Sequence, residues 1–195
     1  ESLNHALDSA RHMMEMKIHK TYANRILEPY SYITTIITST DWANFFALRC
    51  HPDADPALGY AAALIRQAYF ASTPTPIPFG SWHLPFMTDG ECTACDDSWD
   101  IPSRVSSARC ARASYMNFKG DRELADDLRL YNDTLMGDLP LHASPLAHVC
   151  TPMTDPYARC GPIRGWRTHR STVENEAIWD INHPAVMKYS LEELS

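Results

Sequence analysis

The sequence has no apolar run approaching the length of a membrane span. Its stretch "ESLNHALDSARHMMEMK" reads as an amphipathic helix, so no secretory leader is expected. It also lacks a GxGxxG turn, a P-loop lysine and a GxSxG elbow, which removes the commonest nucleotide-binding folds and the α/β-hydrolases. Positive charge is in deficit: Lys and Arg number 17 against 24 Asp and Glu, for a net charge of −7. That argues against a broad nucleic-acid surface or an anionic membrane as partner. A small anionic ligand stays open, since a local group of arginines can hold a phosphate inside an acidic protein. No internal repeat or low-complexity tract is present.

What is there is ordinary globular material: 195 residues, 45% hydrophobic and 21% charged, enough for one sizeable core. The first residue is Glu, at a helix start, so natural sequence is expected to precede it. Six cysteines are scattered along the chain, and free thiols in a reducing cytoplasm are the expectation. Cys92 and Cys95 form a single CxxC, the one weak metal candidate. It is half of a zinc site that Cys150, Cys160 or His148 would have to complete, so no metal is expected.

Apolar positions at Leu3, Leu7, Ala10 and Met14 predict a first helix. "HKTYANRIL" predicts a short second one, stopped by Pro29. "YSYITTIIT", rich in β-branched and aromatic residues, reads as a strand. Thr38, Ser39 and Thr40 offer N-caps for a helix at Trp42, and "ADPALGYAAALIRQAYF" is another helix with Pro56 in its first turn. The chain then divides into a helical half (1–71), a proline-rich and CxxC connection (72–103) and an α+β half (104–195). In that last half "RVSSARCARASY" reads as a strand, and "DRELADDLRLYNDTLM" places Leu124, Leu128, Tyr131 and Leu135 at helical spacing.

Three arginines stand beside apolar residues: Arg25, Arg49 and Arg170. On a helical wheel Arg49 of "TDWANFFALRC" falls between Trp42 and Phe45. It is either a snorkelling side chain paired with a carboxylate or a guanidinium held in a cleft to meet an anion. In "HASPLAH", Pro145 lies between His142 and His148 and rules out a helical zinc pair; Ser144 as N-cap and Pro145 at N1 make a turn suited to a phosphate or a flavin edge.

Together these segments resemble the flavin-dependent thymidylate synthases. The signature of that family is arginine-histidine-arginine, a four-residue gap and Asn-Glu, and "THRSTVENE" is similar to it through His169, Arg170, Asn175 and Glu176. "GPIRGW" resembles the strand leading into it, "SSARCARASY" the first conserved strand ending in Ser114, and "HASPLAH" the flavin loop. "HKTYANRILEP" and "TDWANFFALR" resemble the helices that carry substrate arginines, here Arg25 and Arg49, with Asn44 on the second. The order is permuted relative to the common layout, as in a phage-type branch of the family.

The resemblance implies an α+β fold with an antiparallel sheet flanked by helices, thymidylate synthase-complementing-protein-like, and methylation of dUMP to dTMP. FAD would be the cofactor, with NADPH and methylenetetrahydrofolate as co-substrates, in a homo-oligomer (a tetramer in the family) in a bacterial or phage-infected cytoplasm. Arg49 would be catalytic. Arg25, Arg49, Asn175 and Glu176 would bind the nucleotide, and Asn44, Ser114, His142, Ser144, His169 and Arg170 would line the flavin. Departures from the pattern are Thr168 for the first arginine, Ala147 for the loop glutamate, 54–57 for Ala-Gln-x-Glu, and Ile178, Trp179 and Asp180 after Asn-Glu. A related pyrimidine-nucleotide enzyme and a non-catalytic structural or zinc-binding relative are the alternatives.

Overall fold

The computed structural model describes residues 1–95, 99–113, 123–186 and 188. Its contacts divide the chain into two compact units, 1–35 and 36–195. The segments expected as 1–71, 72–103 and 104–195 are distributed across that division, because the helices at 42–49 and 56–71 cluster with the residues that follow them.

The first unit holds α1 (Ser2–Glu15) packed on α2 (Lys20–Arg25), followed by a 3-10 turn at Glu28–Tyr30 whose second residue is Pro29. Ala10 and Ala23 are its buried side chains, while Leu3 and Met14 stay exposed. α1 ends in a Schellman motif: Lys17 takes a left-handed φ of 59°, its N–H donates to Met14 O, and the Ile18 N–H donates to Met13 O. "YSYITTIIT" forms no strand. Residues 31–39 run without a ladder and Tyr32 is fully exposed. β-branched residues favour a pleated surface only when a second strand pairs with them, and here none does among the described residues.

The second unit opens with α3 (Trp42–Arg49) and α4 (Pro56–Ala71), which pack on each other. Asp55 caps α4, its Oδ1 accepting from Leu58 N at 2.9 Å, and Pro56 follows at N1. The N-cap of α3 is Asp41, not one of the three hydroxyl residues before it, and its carboxylate makes no capping bond. The segment read as an irregular connection contains α5 (Asp89–Ala94) and the start of α6 (Asp100–Ala111). α5 has a full capping box, Thr88 with Glu91.

α6 replaces the expected strand at "RVSSARCARASY". It is buried nearly all round, through Ser103, Val105, Ser106, Ser107, Ala108, Arg109 and Cys110. Serines survive there because their hydroxyls are consumed internally: Ser107 donates to Ser103 O and Ser106 to Pro85 O, each at 2.7 Å. Their small side chains let α7 (Leu124–Leu130), its π-turn continuation (Tyr131–Leu135) and the 3-10 turn Ser144–His148 come close. Ala108, Tyr131, Leu135 and Leu146 form the core at that junction.

The strands are short and antiparallel, so the fold is mixed α+β. β1 (Cys150–Pro152) pairs with β4 (Trp166–Thr168) in the register Cys150 to Thr168, Thr151 to Arg167 and Pro152 to Trp166. β2 (Arg159–Cys160) and β3 (Ile163–Arg164) form a second pair. Gly165 links β3 to β4 at φ +75°, where a side chain would meet Pro156 O at 2.8 Å.

Candidate functional site

Three segments that are distant in sequence meet beside the β1–β4 ladder. The Thr38 hydroxyl and His148 Nδ1 share a hydrogen bond of 2.9 Å, tying the entry to α3 to the end of "HASPLAH". The Arg164 N–H donates to Thr40 Oγ1 at 2.9 Å, and its guanidinium pairs with Asp41, tying the same entry to "GPIRGW". Between them opens a cavity of about 880 Å³ lined by Trp42, Tyr69, Tyr157, Trp166, Arg164 and the hydroxyl residues 38–40. Burial lowers the pKa of His148, so its ring is neutral at physiological pH.

One wall of the cavity belongs to an aromatic cluster. Trp42 stacks on Phe46 at 5.7 Å and meets Phe45 edge-on at 5.8 Å, while Tyr69 of α4 closes on Phe46 at 5.6 Å. Arg49 does not sit inside this cluster. It is exposed, in the last turn of α3, and the helix ends at Cys50 before any element covers it. Among the described residues no carboxylate pairs with Arg49, so the paired alternative is not what is seen. Asn44 is exposed as well, and Arg25 is exposed within the separate unit 1–35.

The remaining predicted residues fall on two segments that touch. The turn Ser144–His148 packs against β4 and against the 3-10 turn Arg170–Thr172. His142 and Ser144 are exposed on the first segment; Ala143, not Ser144, occupies the N-cap, and Pro145 sits one place further in. On the second, His169 Nε2 lies 3.0 Å from the Tyr131 hydroxyl, with the Trp82 ring edge-on at 6.0 Å. Burial lowers the pKa of His169 and raises that of Tyr131. Both are neutral, and the Tyr131 hydroxyl and His169 Nε2 share this hydrogen bond in a direction that the imidazole tautomer sets. His169 Nδ1 faces Thr172 Oγ1 at 3.3 Å. Arg170 donates through Nε to Glu176, and Asn175 holds the left-handed turn between them at φ +57°. Ser114 lies outside the described residues. Among the described residues, none of the expected ligands borders the cavity.

Compared with known proteins, the chain matches no family model, no curated protein and no solved structure. Its chemistry is therefore read from the geometry.

All six cysteines are free thiols. Burial, then the nearby Asp89, pushes the Cys92 thiol up, which disfavours the thiolate a zinc ion needs. Among the described residues no group of three ligating side chains gathers. No helix among them is long and apolar enough to cross a membrane.

Sequence reasoning missed the most heavily paired arginine among the described residues. Arg109 is 4% exposed and donates to Asp127 Oδ2 at 2.8 Å, Glu91 Oε1 at 2.6 Å and Phe86 O at 2.8 Å. Arg112 adds its charge 2.9 Å from Asp127 Oδ1, off the hydrogen-bonding direction. The Arg109 hydrogen bond, helped by the Thr88 N–H, holds the Glu91 carboxyl down at about 2. The Thr-x-x-Glu spacing at 88–91 is the one local signal that marks this cluster.

Proposed function

We propose that the chain is a cytoplasmic nucleotide-modifying protein of the flavin-dependent thymidylate synthase type, acting on dUMP with FAD, methylenetetrahydrofolate and NADPH. The observation that carries this reading is the packing of the 144–148 turn on the 170–172 turn. It joins the flavin-loop segment, with His142 and Ser144, to the signature segment, with His169 and Arg170.

These groups suit a flavin. They are neutral or cationic, they are exposed or half-exposed, and Arg170 offers a fork for a phosphate once Glu176 yields it. When bound and reduced, the flavin supplies a hydride. Arg49, exposed at the end of α3, would face a pyrimidine and favour its anionic form, a contact worth a few kcal/mol, on the order of 3, in the transition state. The resemblance assigns nucleotide contacts to Arg25 in the first unit and, separately, to Asn175 and Glu176 in the second. Asn44, Arg49, His142 and Ser144 all present their side chains to solvent, which suits a site completed by another copy of the chain in a thymidylate synthase-complementing-protein-like oligomer.

The Arg170–Glu176 pair favours one other reading, a non-catalytic relative whose ligand groups satisfy each other. Titration with FAD and dUMP separates the two. The enzyme reading expects a yellow protein that binds dUMP, and an Arg49→Lys variant that keeps its flavin, binds dUMP more weakly and loses turnover, because lysine lacks the planar fork. Flavin uptake without dUMP binding points to a related nucleotide. A colourless protein that takes up neither ligand overturns the reading.

A further inference from the structure

The cavity beside β1 and β4 uses none of the residues assigned above. We propose that it is a separate binding site for an aromatic anion, a flat ring system carrying one phosphate or carboxylate, with Arg164 as the anion contact. Its volume of about 880 Å³ lies in the range of small-molecule sites. Trp42, Tyr69, Tyr157 and Trp166 are four of its lining residues, an aromatic surface suited to a flat ligand. Among the described residues that line it, Arg164 is the one permanently charged side chain, so the site suits a ligand with a single anionic group.

Arg164 is held in place yet free to change partner. Its backbone N–H is fixed to Thr40 Oγ1 at 2.9 Å, while its guanidinium is 41% exposed and paired with Asp41, 36% exposed. A pair this open to water is weak. Asp41 also has somewhere else to go. It is the N-cap residue of α3 but makes no capping bond, so an anion that takes the Arg164 fork releases Asp41 to accept from the first-turn N–H groups. Binding and capping thus exchange one partner for another: the ligand anion takes the guanidinium, and the Asp41 carboxylate takes backbone N–H donors in its place. The proposal goes beyond the thymidylate synthase reading and does not depend on it.

Tryptophan fluorescence tests it, since Trp42 and Trp166 line the cavity. The probes are adenosine monophosphate against adenosine, and 3-phenylpropionate against 3-phenylpropionamide, none of which absorbs at the red edge where tryptophan is excited. The expected result is at least a tenfold preference for one or both anions over the matched neutral compound. A phosphate-only or carboxylate-only preference identifies the source. Arg164→Gln should abolish that preference and leave binding of the neutral ring, Asp41→Asn should tighten anion binding, and Trp166→Phe should reduce the quenching. If Arg164→Gln fails to fold, Asp41→Asn carries the test. Equal binding of anion and neutral partner, no binding at millimolar concentration, or no tightening in Asp41→Asn overturns the proposal.

Discussion

Asp127→Ala should be the most damaging single polar substitution in the chain. The carboxylate is fully buried and meets Arg109, itself 4% exposed, at 2.8 Å, with Arg112 at 2.9 Å on the other oxygen. Removing it leaves the Arg109 guanidinium in the interior with only Glu91 and the Phe86 carbonyl as acceptors. Breaking one side of a buried pair costs about 3–5 kcal/mol, because the remaining charge has lost its water and then its partner. For a chain of this length about 1 kcal/mol moves Tm by roughly 2–4 °C, so the expected fall is about 6–20 °C. The control lies one residue away. Asp126 pairs with Arg129 in the open, at 43% and 71% exposure, and Asp126→Ala should cost at most about 1 kcal/mol. Asp127→Asn, which keeps the shape and one acceptor, should fall between the two. Calorimetric or circular-dichroism melts decide the matter. A Tm loss for Asp127→Ala no larger than that for Asp126→Ala would refute the claim that this cluster is desolvated and mutually dependent.

Three further outcomes follow from single positions. Glu91 carries a folded pKa of about 2 against an ordinary 4.5, so its contribution is complete above pH 4.5 and is lost as pH falls through 2. The Tm gap between wild type and Glu91→Gln should therefore be full at pH 6 and close steadily below pH 4.5; a gap independent of pH contradicts the pairing with Arg109. Gly165→Ala should destabilise by about 1–2 kcal/mol from the left-handed backbone alone, and by more because the new methyl meets Pro156 O at 2.8 Å. A melt unchanged from wild type would show that the link between β3 and β4 adopts another turn. Lys17→Gly should stabilise the end of α1 by about 0.5 kcal/mol, glycine's entropy cost offsetting part of the relief; slower amide exchange at Lys17 and Ile18 is the measurement.

Local chemistry made much of the helical framework legible. Asp55-Pro56 starts α4 by a cap and a proline at N1, and Pro29 ends the run after α2. These signals act between residues four or fewer apart, so the chain carries them at any stage of folding. α6 was not legible because its serines hide their polarity by bonding to carbonyls, Ser107 to Ser103 O one turn back and Ser106 to Pro85 O outside the helix, which erases the polar face that periodicity looks for. The strand expected near Ile33 failed for the opposite reason: its residues suit a sheet, but a ladder needs a second strand that local sequence cannot supply.

By itself the sequence determined the start of α4 at Asp55-Pro56 and the list of arginines near apolar residues, while the caps expected at 38–40 and at Ser144 went to Asp41 and Ala143. Only the tertiary structure decided which arginine is buried. Arg49, surrounded by aromatic residues in sequence, ends exposed, while Arg109, set among serines and alanines, ends at the centre of a charge cluster. The physical reason is distance along the chain. A buried charge is tolerated only where an opposite charge arrives to meet it, and the partners of Arg109 come from Glu91 and Asp127, each 18 positions away.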